Sequence, residues 1–154
     1  MKELLAQYAD GYLLLKEAVK GLSEEELNFK PAPEAWSIKE IVVHVADTEI
    51  VAIHRMKRVI SEENPLLTAF DQNAWAKRQQ YMNLDANLYV ELLGLLRQSF
   101  LPVLNSLTAE DWQHTGIHIE AGKVALHDLL KKFVGHLDTH LRQIDRLKQA
   151  YRNK

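Results

Sequence analysis

Four stretches of the chain place apolar residues three and four positions apart, the spacing that lays one apolar stripe along an α-helix. Leu4, Leu5, Tyr8, Tyr12, Leu15 and Val19 form the first stripe and Gly21 follows it, predicting a helix from about Lys2 to Lys20. The second stretch starts at Ser37-Ile38-Lys39-Glu40, a capping box in which the Ser37 hydroxyl accepts from the Glu40 backbone N–H while the Glu40 carboxylate reaches back. It continues through Ile41, His44, Val45, Thr48, Val51, Ala52, Met56 and Val59 and is expected to end before Asn64-Pro65. Asp85 caps the third, which carries Leu88, Leu92, Leu95, Leu96 and Val103, with Pro102 placed to kink or end it unless a neighbour accommodates the lost hydrogen bond. The fourth runs from about Leu126 to Tyr151 through Leu129, Leu130, Phe133, Leu137, Ile144 and Leu147.

The connections are less regular. Ser23 with Glu26 is another capping box, cut to a short turn by Pro31 and Pro33. FDQNAWAKRQQYMN reads as an irregular connection containing a short helix, and Thr108 with Asp111 marks a turn. Residues His114 to Val124, with Gly116 and Gly122, suggest a loop or small hairpin. The expected fold is all-α: a four-helix bundle with long connections, little or no sheet, and a single domain over residues 1–154. Connections of this length permit crossovers or a segment that covers a pocket.

Composition narrows the chemistry. A formal net charge of -2 argues against nucleic acid as the main partner, because phosphate binding needs a concentrated basic surface. The sequence contains no cysteine, so a metal site must use nitrogen and oxygen ligands. No stretch offers the ~18 uncharged residues of a membrane span, and charges at Lys2, Glu3, Asp10, Lys16 and Glu17 break up any signal-peptide core. The expectation is a cytoplasmic protein with neither membrane nor nucleic-acid partners.

Seven histidines remain to be explained: His44, His54, His114, His118, His127, His136 and His140. His136 and His140 are separated by four positions, which stacks both imidazoles on one helix face within reach of one ion. His44 lies close in phase to Ile41, Thr48 and Val51, so it points toward the core and is the best third ligand. Each of the three could instead be an interior histidine satisfied by one hydrogen bond. Burying three imidazoles separately costs considerable desolvation, whereas a single metal ion accounts for all of them. His54, about 80° round the helix from His44, reads as outer or solvent-facing; His114 and His118 read as surface residues that could approach the pocket. His127 lies on the opposite face from His136 and is rejected as a ligand. Asp47, about 60° from His44, could orient an imidazole, while Glu49, about 140° away, is less able to reach the same site directly. Both are equally readable as solvated charges, and Trp36, Trp75 and Tyr81 are read first as packing residues.

PEAWSIKEIVVHVADTE, followed far downstream by GKVALHDLLKKFVGHLDTHLRQI, resembles the DinB-like family of bacterial metal-binding four-helix bundles. The shared features are Trp36-Ser37, His44, Gly122, the His136/His140 pair and Gln143-Ile144. The resemblance implies that His44, His136 and His140 bind a divalent metal, zinc or nickel. It also implies either hydrolysis or low-molecular-weight-thiol transfer on a small-molecule substrate, and a homodimer to which Trp75, Tyr81 or the long connections contribute contact area. No residue is assigned as a catalytic acid or base. A non-catalytic metal-binding protein, serving stress response or ligand sensing, is the alternative that the same residues allow.

Overall fold

The computed structural model describes all 154 residues. In chain order the elements are α1 (Lys2–Val19), α2 (Glu24–Asn28), α3 (Ile38–Ser61), β1 (Leu66–Leu67), α4 (Gln72–Arg78), α5 (Ala86–Ser106), β2 (Thr115–His118), β3 (Gly122–Ala125) and α6 (Leu126–Arg152). Short 3₁₀ turns occupy Tyr81–Asn83 and Asp111–Gln113. No helix is long and apolar enough to cross a membrane.

The four long helices form the bundle, and their contacts define its topology. α3 packs on α5 and α6, and α1 packs on the same two helices, so α1 lies diagonally across from α3 and α5 across from α6. Two of the three connections between long helices therefore cross a diagonal, which explains their length. α2 is part of the first crossing; the β2–β3 hairpin is part of the second.

Local chemistry sets where α3 begins. Ser37 Oγ accepts from the Glu40 backbone N–H at 3.2 Å, and the Ser37 backbone N–H donates to Glu40 Oε2 at 2.8 Å. Lys30 pairs with the same carboxylate at 2.8 Å. Every residue from Ser37 to Glu49 is buried, because α2, α4 and the Tyr81–Asn83 turn cover the side of α3 that α5 and α6 leave open. Lys39, Glu40, Asp47, Thr48 and Glu49 are thus buried polar residues, and the reading of Asp47 and Glu49 as solvated charges is corrected.

Two apolar clusters fill the bundle. One is built around Tyr8, Met56, Phe100, Leu126 and Leu130, the other around Leu15, Ile41, Val45, Leu93 and Ile144. A buried ion pair ties three helices together in the same interior. Arg97 donates from Nε and Nη2 to Glu49 Oε2 at 3.1 and 2.9 Å, and from Nη1 to the Tyr8 carbonyl at 2.9 Å. The Tyr8 hydroxyl donates to Glu49 Oε1 at 2.5 Å. Gly11 is needed beside this network, since a Cβ there would sit 2.3 Å from Arg97 Nη1 and 2.6 Å from Leu137 Cδ2.

Two backbone details go beyond the sequence-based expectations. A three-stranded sheet is present in the order β1-β2-β3: β1 pairs in parallel with β2, and β2 pairs antiparallel with β3. The predicted hairpin recruits two residues after α3, a pairing too short and too distant in sequence to leave a pattern. Pro102 does not end α5, which continues to Ser106. Both Pro102 and Gln98, whose carbonyl loses its helical partner, are exposed, so the unpaired group is open to water.

Candidate metal centre

His44 stands nearly two turns into α3, at a height fixed by the Ser37 cap, and its ring is 1% exposed. His136 and His140 face it from successive turns of α6. The three imidazoles converge: His44 Nε2 lies 3.1 Å from His136 Nε2, and His140 Nε2 lies 3.0 Å from the same atom. One nitrogen from each ring falls within 4.8 Å of the others. The structure thus brings together the three histidines singled out from the sequence. His54 and His114 are exposed, and His127 is half-buried beside Asp128 on another face.

Neighbouring groups fix the rings. Gln143 Oε1 accepts from His140 Nδ1 at 2.9 Å, which leaves the Nε2 lone pair of His140 directed at the cluster. The Trp36 ring meets the His44 ring edge-on at 4.9 Å, so this tryptophan walls the cluster as well as leading into α3. Thr48 Oγ1 lies 3.4 Å from His44 Nδ1. Asp47 does not orient an imidazole, correcting that expectation: its carboxylate accepts from the Tyr81 hydroxyl at 2.5 Å. Tyr81 is itself 1% exposed, so it contributes to packing and offers no surface for a dimer.

The donor set suits a divalent cation. Ligand nitrogens of a tetrahedral ion with bonds of ~2.0–2.1 Å stand ~3.3 Å apart, close to the separations found here. Three Nε2 atoms facing one another cannot all be satisfied by donating to one another, whereas a shared cation accepts every lone pair. Three protein ligands also leave a coordination position open, as in catalytic zinc sites.

Electrostatics point the same way. Burial, then the neighbouring His136 and His140, hold the His44 pKa down at about 3. Burial followed by His140, Arg97 and Lys132 hold His136 at about 4, and burial lowers His140. These rings are therefore neutral, the form that binds metal, at neutral pH. Without metal, the depressed values predict an acid-sensitive fold. Above pH ~6.5 the rings are neutral in both folded and unfolded chains and contribute nothing to the pH dependence. As pH falls from ~6.5 toward 4, the unfolded chain takes up protons that the folded chain refuses. His44 and His136 should each remove about 1 kcal/mol of stability per pH unit across that window. Thermal melts of metal-stripped protein at pH 7.5 and 5.0 check this, with a lower melting temperature expected at pH 5.0 and a smaller pH effect in His44→Ala.

Two cavities meet at the cluster. One, of about 560 Å³, is lined by His140, Gln143, Trp36 and Arg146. The other, of about 200 Å³, is lined by His44, His136, Arg55, His118, Glu120 and Lys132, among others. Gln72, the first residue of α4, borders both. His118 is 6% exposed, so it is no surface histidine. Pairing of β2 with β1 carries it under the connection that follows α3, a placement that sequence spacing does not encode. Arg55, Glu120 and Lys132 are likewise not singled out by the sequence, and Gln143 is marked there only as part of the shared Gln143-Ile144 pair, without a role beside His140. Gln143 alone had a local signal, standing three residues after His140 on the same helix face.

The sequence matches the DinB superfamily over residues 7–144. It is 28% identical to a protein of Oceanobacillus iheyensis, over 96% of this chain and 85% of that one. A protein of Bacillus licheniformis is 30% identical, over 85% and 75% of the respective chains. Both are named as candidate metal-dependent hydrolases. Among solved structures, YfiT from Bacillus subtilis, described as a candidate metal-dependent hydrolase with an unusual four-helix bundle topology, has a similar fold. It superposes with a TM-score of 0.90 at 22% identity, covering 96% of this chain and 85% of its own. A mycothiol-dependent maleylpyruvate isomerase superposes with a TM-score of 0.71 at 15% identity, covering 91% of this chain and 58% of the isomerase. The matched span, from α1 into α6, includes all three converging histidines, and this chain belongs to the DinB superfamily.

Proposed function

We propose that this protein is a divalent-metal-dependent enzyme, using zinc or nickel, that transfers a low-molecular-weight thiol to or from a second small molecule. The observation that carries the proposal is a carboxylate-free, three-imidazole cluster bordered by two separate cavities. A divalent ion held by His44, His136 and His140 supplies Lewis acidity and a binding position for a thiolate or a polarised carbonyl. The residues of the chain do the rest. Gln143 keeps His140 in its ligating tautomer, Trp36 shields His44 from water, and the two cavities can receive two reactants on either side of the cluster.

Thiol transfer is preferred over hydrolysis because no carboxylate makes a hydrogen bond to the three rings. Asp47 is engaged by Tyr81, and Glu49 by Arg97 and Tyr8, so neither is free to take a proton from water. Hydrolysis is the second reading, supported by the names of the relatives and by Glu120, a carboxylate in the wall of the smaller cavity.

The test is to incubate metal-loaded protein with bacterial low-molecular-weight thiols and an electrophile such as monochlorobimane, alongside an ester and amide panel. Thiol conjugation that disappears on chelation and in His136→Ala is the expected result. Metal-dependent ester or amide cleavage without thiol consumption supports the hydrolytic reading instead. Metal retention with no turnover of either kind overturns the enzymatic proposal in favour of a non-catalytic metal-binding protein.

A further inference from the structure

The smaller cavity carries positive charge that the converging histidines do not use. Arg55, on α3, is 6% exposed and lines this cavity. Its hydrogen bonding is far from complete: Nη2 donates to the Thr68 carbonyl, while the buried Nε has no partner. No carboxylate pairs with it within ion-pair distance. Glu120 acts on this guanidinium only at longer range, and a buried guanidinium with an unsatisfied N–H and no carboxylate in contact is costly unless an anion completes it. The same molecule's other buried arginine shows the contrast, since Arg97 is saturated by Glu49 and the Tyr8 carbonyl.

Two further donors share the cavity wall with Arg55. Lys132, on α6, carries a second positive charge. His118 Nδ1 accepts the backbone N–H groups of Glu120 and Ala121, each at 3.3 Å, which leaves its proton on Nε2 as a hydrogen-bond donor. Glu120 is the only carboxylate in the lining, so the charged side chains there are two cations against one anion. His44 and His136 line the same space.

We infer that this cavity is an anion-recognition subsite, in which Arg55, assisted by Lys132 and His118, holds a carboxylate or phosphate group of the small molecule that reacts at the histidine cluster. The guanidinium fork matches both oxyanions, and a volume of about 200 Å³ suits the anionic group of a small molecule. The inference rests on the proposed reaction centre only for where the substrate reacts; the anion site itself stands on Arg55 and its neighbours.

Titration calorimetry on the metal-loaded protein tests it, with acetate, succinate and inorganic phosphate as probes and uncharged succinamide as control. Elemental analysis of the same samples reports separately on the metal. Wild type should bind at least one oxyanion, and whichever of carboxylate or phosphate binds tighter identifies the source group. Arg55→Met should weaken that binding by at least about tenfold with no loss of metal, and Arg55→Lys should restore part of it. Should Arg55→Met fail to fold, the exposed Lys132→Met still has to weaken binding several-fold. Equal affinity in wild type and variants, oxyanion binding no stronger than that of succinamide, or no binding of any probe overturns the inference. Loss of metal in wild type would count against the reaction centre alone.

Discussion

Replacing His136 by alanine is expected to strip the protein of most of its bound metal. His136 Nε2 is the atom from which both His44 Nε2 and His140 Nε2 are measured at 3.1 and 3.0 Å, so its loss opens the middle of the donor set. His44→Ala and His140→Ala each leave two nitrogens and should have nearly as large an effect. Gln143→Ala should be milder, with a loss of ~10–100-fold in affinity, because it frees the His140 ring to rotate or change tautomer without removing a ligand. His127→Ala should keep full metal, since that ring lies beside Asp128 away from the cluster. Occupancy in wild type should persist through pH ~6.5 and fall only as the pH approaches the depressed His136 and His44 values of about 4 and 3, where protons compete for the same lone pairs. Elemental analysis of the purified variants reads all of these outcomes, and retention of metal in His136→Ala would remove the basis for the proposed centre.

The second large effect concerns stability. Glu49→Ala is expected to destabilise the fold by about 3–5 kcal/mol, a substantial part of the ~5–15 kcal/mol that holds a typical domain together. The change leaves the Arg97 guanidinium buried without its counter-charge and the Tyr8 hydroxyl without its acceptor. Replacing both partners with apolar residues, as in Glu49→Leu with Arg97→Met, should cost less than Glu49→Ala alone, because no charge is then stranded. Urea unfolding of the single and double variants checks the order. A Glu49→Ala protein as stable as wild type would mean that the pair is not buried as described.

The contrast between Glu49 and the histidines also shows what the sequence can and cannot reveal. Helix ends are local, and the capping boxes at Ser23 and Ser37 form as their spacing predicts. The His136/His140 pair is legible for the same reason, since four residues on a helix fix the geometry, and His44 is legible from its phase among Ile41, Thr48 and Val51. Asp47 and Glu49 mislead because periodicity assumes one buried face, whereas the first half of α3 is covered on all sides. His118 reaches the cavity that Arg55 lines through the pairing of β1 with β2, a contact between segments far apart in the chain. The diagonal arrangement of α1 with α3 and of α5 with α6 leaves only an indirect trace, the length of the connections.

The central claim is that His44, His136 and His140 hold one divalent ion with a coordination position left for a substrate. An anomalous difference map at the zinc edge, from crystals of zinc-loaded protein, tests it most directly. The expected map has one strong peak bonded to the three Nε2 atoms at ~2.0–2.1 Å, with its remaining neighbours not supplied by the protein. A peak elsewhere, or a fourth protein side chain closing the coordination sphere, would contradict it.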